Sequence, residues 1–269
     1  MGGSRTTRIA LRVAAAITLA FIYIPIGIIV LYSFNASPLV RWPITELTID
    51  WYVQAFSDEG IREALTASLQ AAIGATSVAL VLGTMIAFAV HRFRFFGREG
   101  ISFLVILPIA LPGIITGIAL NTAFRTFDID FGLLTVIIGH ATFCVVVIYN
   151  NVVARLRRTA RSAQEASMDL GADTWQTFRT ITLPAIGTSL VAGALLAFAL
   201  SFDEIIVTTF TSGAGTQTLP IWIFANYSRP NQLPLVNVAS VMVLVLSIIP
   251  VYIAARITSD PTAVAGSRN

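Results

Sequence analysis

Residues 165–184 read Glu165-Ala166-Ser167-Met168-Asp169-Leu170-Gly171-Ala172-Asp173-Thr174-Trp175-Gln176-Thr177-Phe178-Arg179-Thr180-Ile181-Thr182-Leu183-Pro184. They form a polar, helix-forming island between two long apolar runs, and the island carries its own start and stop signals. In so apolar a chain, such an element points to docking on a partner at the membrane surface.

Working outward, the chain has 269 residues, 56% hydrophobic and only 12% charged, with a mean hydropathy of +0.81. A soluble domain carries about 25% charged residues. Half that leaves too little polar surface to face water, so the composition predicts an all-α, polytopic membrane protein. Every basic residue is an arginine. Without lysine, the chain cannot use a phosphate-binding P-loop or a lysine Schiff base. Its single cysteine, Cys144, lies in an apolar run, which excludes a disulfide framework or a cysteine metal cluster. His91 and His140 are about fifty positions apart in sequence, which argues against a histidine metal site.

A bilayer core of about 30 Å needs roughly 20 apolar residues per helical crossing. Six stretches qualify: 12–34, 64–90, 101–124, 132–154, 186–206 and 235–256. The first could imitate a signal peptide, but its apolar core is too long and Phe34-Asn35-Ala36-Ser37 is a poor cleavage site. With the N-terminus inside, 13 of the 17 arginines and five of the 14 acids fall on the cytoplasmic side. That is a net +8 inside against −5 outside. The basic balance therefore reflects membrane topology, and nucleic acid is not an expected partner. Few ionisable groups interrupt the spans, which weakens an ion-coupled carrier. His140 lies within span four and is expected to be a hydrogen-bonded packing residue.

Within the island, Ser162-Ala163-Gln164-Glu165 has the pattern of a capping box. A helix of about two turns should follow and end near Gly171, which suits the left-handed position after a helix. Asp173-Thr174-Trp175-Gln176 looks like a second cap, opening a short helix with an apolar stripe at Trp175, Phe178 and Ile181. Leu183-Pro184 should then open the next span. The expected shape is helix, glycine corner, helix, re-entry.

The letters add a resemblance. Glu165-Ala166-Ser167, three residues, Gly171, nine residues, Ile181-x-Leu183-Pro184 resembles the EAA loop of ABC importer permeases. The spacing matches throughout, and Ser167 in place of alanine is the one departure. The resemblance implies the type I ABC importer permease fold with six transmembrane helices. It implies that Glu165, Ala166, Ser167, Gly171, Ile181, Leu183 and Pro184 couple the chain to a separate ATPase subunit. It further implies two ATP-binding subunits, a second homologous permease and an external substrate-binding protein as partners. ATP and magnesium would sit on the ATPase, so this chain would hold no cofactor, no metal and no catalytic residue.

Other stretches extend the likeness. Ser33-Phe34-Asn35 and Trp51-Tyr52-x-x-x-Phe56 resemble the external segment after the first span, and Ala64–Ala87 resembles the opening core helix. Ala199–Ile206 and Gln217–Trp222 are similar to the second permease subunit of spermidine/putrescine importers. The candidate substrate pathway is then Asp203, Glu204, Asn121 and Trp222. Adjacent carboxylates on a helix point about 100° apart, so Asp203 and Glu204 cannot both face one partner. Either could face a polyammonium ion, mark the membrane exit or pair with an arginine; Asn121 could line the wall or pack. Pro108, Pro112 and Gly113-Ile114-Ile115-Thr116-Gly117 lie in span three, as a packing face or as a path-lining one. Trp222 and Phe224 are expected to anchor a short interfacial helix over Leu219–Tyr227.

The expected layout is 1–63 as an N-terminal helix with an external segment, 64–256 as a five-helix core carrying the loop 155–184, and 257–269 as a cytoplasmic tail. The expected location is a bacterial inner membrane, in contact with lipid, with both termini cytoplasmic. The competing readings are the same machine for ferric iron, sulfate/molybdate or thiamine, an ion-coupled secondary transporter, and a membrane scaffold.

Overall fold

The computed structural model describes residues 5–39 and 41–259; the tail from residue 260 onward lies outside the described residues. In order, the helices are α1 (Arg5–Ser33), α2 (Asp50–Ser57), α3 (Glu59–Arg92), α4 (Arg98–Ala110), α5 (Gly113–Thr126), α6 (Leu133–Leu156), α7 (Arg161–Asp169), α8 (Thr174–Thr177), α9 (Leu183–Phe202), α10 (Ile206–Thr211), α11 (Leu219–Asn226) and α12 (Leu233–Ser259). Extended pairing among the described residues amounts to one isolated bridge, Asn35 with Leu47. The all-α expectation holds.

Among the described residues, five helices are long and apolar enough to cross a membrane, or up to six if the bent pair α4–α5 is one span. The bent pair corrects the third expected span. Instead of running straight over 101–124, the chain bends by 107° between α4 and α5. Pro112 explains the site of the break. It offers no amide, and proline biases the preceding residue away from the helical region. Leu111 accordingly adopts φ −82°, ψ 145°.

The residues cluster into two compact units. The first comprises residues 1–62 with 223–242. In it, the segment after α1 folds back on α2. The Trp51 indole donates to the Asn35 carbonyl at 2.9 Å, Ser33 and Tyr52 share a hydroxyl bond of 2.8 Å, and the Phe34 and Tyr52 rings lie 5.0 Å apart. The two short stretches singled out in the sequence are thus partners, and they satisfy polar groups at the end of a membrane helix.

The second unit comprises 63–222 with 243–269. Its core sits on α6, where Val136, Cys144, Val146, Ile148 and Val152 are buried. On α3, Ala71, Ala75, Ala79, Gly83 and Ala87 recur every four residues, a stripe of small side chains along one face. A Cβ on Gly83 would lie 2.9 Å from both Ile148 Cβ and the Val145 carbonyl oxygen. Membrane helices gain little from apolar transfer between themselves, so close backbone approach through small residues supplies the contact energy.

Candidate functional site

The island forms the compact knuckle that its letters predicted. At the end of α7, the Ala172 amide donates to the Ser167 carbonyl at 3.1 Å and the Gly171 amide donates to the Met168 carbonyl at 2.9 Å. This pair of bonds is a Schellman motif, which satisfies carbonyls that the helix end would otherwise orphan. Gly171 adopts φ +89°, and a Cβ there would meet nothing within 4 Å. The backbone conformation, rather than space, is what requires glycine. Asp173 then caps α8: its carboxylate accepts from the Gln176 amide at 2.8 Å, and the Gln176 side chain accepts from the Asp173 amide at 3.0 Å.

Two local expectations need correction. The capping box at Ser162 is absent, because α7 starts two residues earlier than that box requires, with Ala160 as its cap and no side-chain cap bond. The fifth span also has no separate entry. Residues 174–202 form one helical run in which Phe178–Thr182 is a π-helical turn. The Leu183 amide donates to the Phe178 carbonyl, five residues back. Pro184 has no amide to give the turn before it, so the helix widens locally instead of stopping.

Long-range contacts pin the knuckle at several points. Ser167 and Thr177 share a hydroxyl bond of 3.1 Å across the corner. The Arg155 guanidinium donates to the Ala185 carbonyl at 2.8 Å, tying the end of α6 to the start of α9. Phe178 stacks on Trp175 at 5.5 Å and meets Phe88 of α3 edge-on at 5.4 Å. What remains outward is Leu170, 90% exposed, with Trp175 and Met168. Glu165 and Ala166 are exposed on α7, whereas Ser167, Ile181 and Phe178 are half-buried and Leu183 and Pro184 are exposed on α9. These apolar side chains share the outward surface with the exposed Glu165, Asp169, Asp173, Gln176 and Arg179.

The four pathway candidates are all placed in the second unit, in different roles. Glu204 caps α10: its carboxylate accepts from the Val207 amide at 2.8 Å. Asp203, one residue earlier, is exposed at the end of α9 and has no arginine paired with it among the described residues. Asn121 donates to the Phe210 carbonyl at 2.6 Å and accepts from Arg125 at 2.9 Å, which clamps α5 onto α10. Trp222 is only 6% exposed, so it is no interfacial anchor; Phe224, at 73%, presents its ring outward. The reason lies nearby: the Ser68 hydroxyl accepts the Leu219 amide at 2.8 Å, drawing the start of α11 onto α3.

The break between α9 and α10 and the short helix after it are fastened by residues outside the expected pathway set. The buried Thr135 hydroxyl of α6 lies 2.7 Å from the Thr211 carbonyl and 2.8 Å from the Gly132 carbonyl. Gly117 allows Phe210 to sit against α5, since a Cβ there would fall 2.6 Å from the Phe210 ring. The small-residue face in the third expected span is therefore a packing face. His140 is buried and bonded on both ring nitrogens, to Ser201 at 2.7 Å and Thr208 at 2.8 Å, as expected of a packing histidine.

Comparison with known proteins agrees with this geometry. Residues 79–260 match the family described as binding-protein-dependent transport system inner membrane component. This chain belongs to that family. It is a multi-pass, non-catalytic permease component of an ABC importer. The chain is 36% identical over 248 residues to the putrescine transport system permease protein PotI of Escherichia coli (strain K12), covering 88% of this chain and 87% of that protein. It is 31% identical over 244 residues to the spermidine/putrescine transport system permease protein PotC of the same organism, covering 90% and 91%. Among solved structures it resembles a bacterial ABC transporter for alginate import, with a TM-score of 0.67 at 18% identity over 96% of this chain and 98% of that one. The last likeness speaks for the fold alone.

Proposed function

We propose that this chain forms half of a translocation pathway for polyamines such as putrescine and spermidine. Its identity to two polyamine permeases over nearly its whole length carries the reading. A second homologous permease supplies the other half, and an external binding protein delivers the cargo. Two ATPase subunits hold ATP and magnesium and receive the knuckle through Glu165, Ala166, Ser167 and Gly171, with Ile181, Leu183 and Pro184 setting its exit. Both termini lie in the cytoplasm, in line with the arginine bias and with six crossings when the bent pair α4–α5 counts as one. Residues 64–256 act as the transporting core.

ATP-driven closure of the ATPases moves the knuckle, and its continuous helix to Phe202 carries that motion along α9. Asp203 is the carboxylate best suited to meet cationic cargo, because Glu204 is occupied as a cap. Asn121 and Trp222 act as wall supports. The test is the complete complex in proteoliposomes with its binding protein. Putrescine or spermidine should stimulate ATP hydrolysis, and Asp203→Asn should reduce that stimulation while leaving assembly intact. No stimulation by either amine would remove the polyamine reading.

A further inference from the structure

Between Phe202 and Ile206 the chain leaves one helix and begins another. The break residues are not helical throughout: Asp203 has φ −99°, ψ 7° and Ile205 has φ −116°, ψ −39°. At membrane depth a break of this kind persists only where other protein groups satisfy its backbone. Three hydrogen bonds meet here, and donor counting fixes their direction. The Thr208 hydroxyl donates its one proton to the Glu204 carbonyl at 2.9 Å. It must therefore accept from His140, 2.8 Å away, so Nε2 carries the ring proton. Nδ1 is then the acceptor, and Ser201 Oγ, at 2.7 Å, is its donor.

We infer that His140 is a positioning residue for the cargo path: one neutral ring on α6 bridges α9 and α10 and fixes how the break presents Asp203. The chain of donors runs Ser201 to His140 to Thr208 to the Glu204 carbonyl, entering from one side of the break and ending inside it. Removing the ring frees both sides at once, since Ser201 and Thr208 have relative exposures of only 2% and 0%. Aligned bonds in a dry site polarise one another, so the chain acts as a unit. The inference rests on the reading of Asp203 as a pathway residue.

Ile206 offers a reporter, being exposed just past the break, whereas the one native cysteine, Cys144, is buried. In the assembled complex carrying Ile206→Cys, labelling of the introduced thiol by a small water-soluble maleimide reports the geometry of the break. Adding His140→Ala or Thr208→Val should each change the labelling rate by about fivefold, the worth of one net hydrogen bond. The pair together should change it no more than the larger single effect. His140→Gln, which keeps one donor and one acceptor, should restore most of the original rate. Unchanged labelling in His140→Ala complexes of normal yield would overturn the inference; if that variant fails to assemble, Thr208→Val, nearly constant in volume, decides the outcome. Polyamine stimulation of the wild-type ATPase is measured separately, so loss of the cargo reading and loss of the brace are told apart.

Discussion

The knuckle at 161–182 and the break after α9 are both interruptions of a helical chain, and they differ in how far their turn-making bonds reach. At the knuckle, the Schellman bonds, the left-handed Gly171 and the Asp173–Gln176 box all join residues within five positions of one another. At the break and the short helix after it, the Glu204 cap and the Thr208–Glu204 bond are local, whereas His140 reaches the break from 61 positions away and Asn121 and Thr135 hold the end of α10 from 89 and 76. A local device forms with its own segment and can be mounted as a rigid body. A remote one ties its segment to the state of the helices around it, which suits an element that has to respond when those helices move.

The strongest way to break the comparison is Gly171→Val. A β-branched residue at φ +89° forces the corner open, at a cost of at least 1–2 kcal/mol. ATP-driven uptake in proteoliposomes should fall on the order of tenfold or more, while membrane insertion and helicity by circular dichroism stay at wild-type levels. Uptake at the wild-type rate would show that the knuckle is not the coupling element.

The remote ties give a smaller effect of a different kind. Thr135→Val and Asn121→Leu each leave a carbonyl at the end of α10 without its partner, at about 1–3 kcal/mol apiece. Thermal unfolding of the detergent-solubilised protein should move to lower temperature in both. A double variant should lose less than the sum of the singles, because both act on one six-residue helix. Strict additivity would mean that α10 is held by something other than these ties.

Ser167→Ala sharpens the comparison at its low end. It removes the single hydroxyl bond that crosses the corner to Thr177 and restores the alanine of the EAA pattern. The corner keeps its glycine and both capping devices, so stability should fall by less than about 1 kcal/mol. The ratio of ATP hydrolysed to substrate imported is the sensitive readout. A rise in that ratio would mean that the bond stiffens the knuckle, and no change would leave the local caps sufficient by themselves.

How much of this was legible follows the same divide. The spans, the glycine corner and the Asp173 cap could be read because each signal sits within one turn of the residue it controls. The Ser162 box had the right letters, yet a cap must lie just before the first helical residue, and the helix begins at Arg161. Pro112 was placed inside one continuous span when it marks a break of 107°, and Pro184 was read as a helix start when a π turn absorbs it. Proline announces a missing donor and leaves open how the chain accommodates it. Trp222 looked like an interfacial anchor because nothing near it in the sequence shows that it is buried, or that the start of its helix bonds Ser68 through Leu219, 151 positions apart.

The sequence by itself determined that this is an all-helical membrane permease with a locally built cytoplasmic-loop knuckle of helix, glycine corner and helix. Hydropathy, arginine placement and capping are properties of neighbouring residues. Only the tertiary structure decided which carboxylate is free and which is a cap, that Asn121 and Thr135 close the end of α10, and that His140 spans the break. Those assignments rest on orphaned backbone groups finding partners across the fold, and a linear pattern carries no record of which distant side chain reaches them.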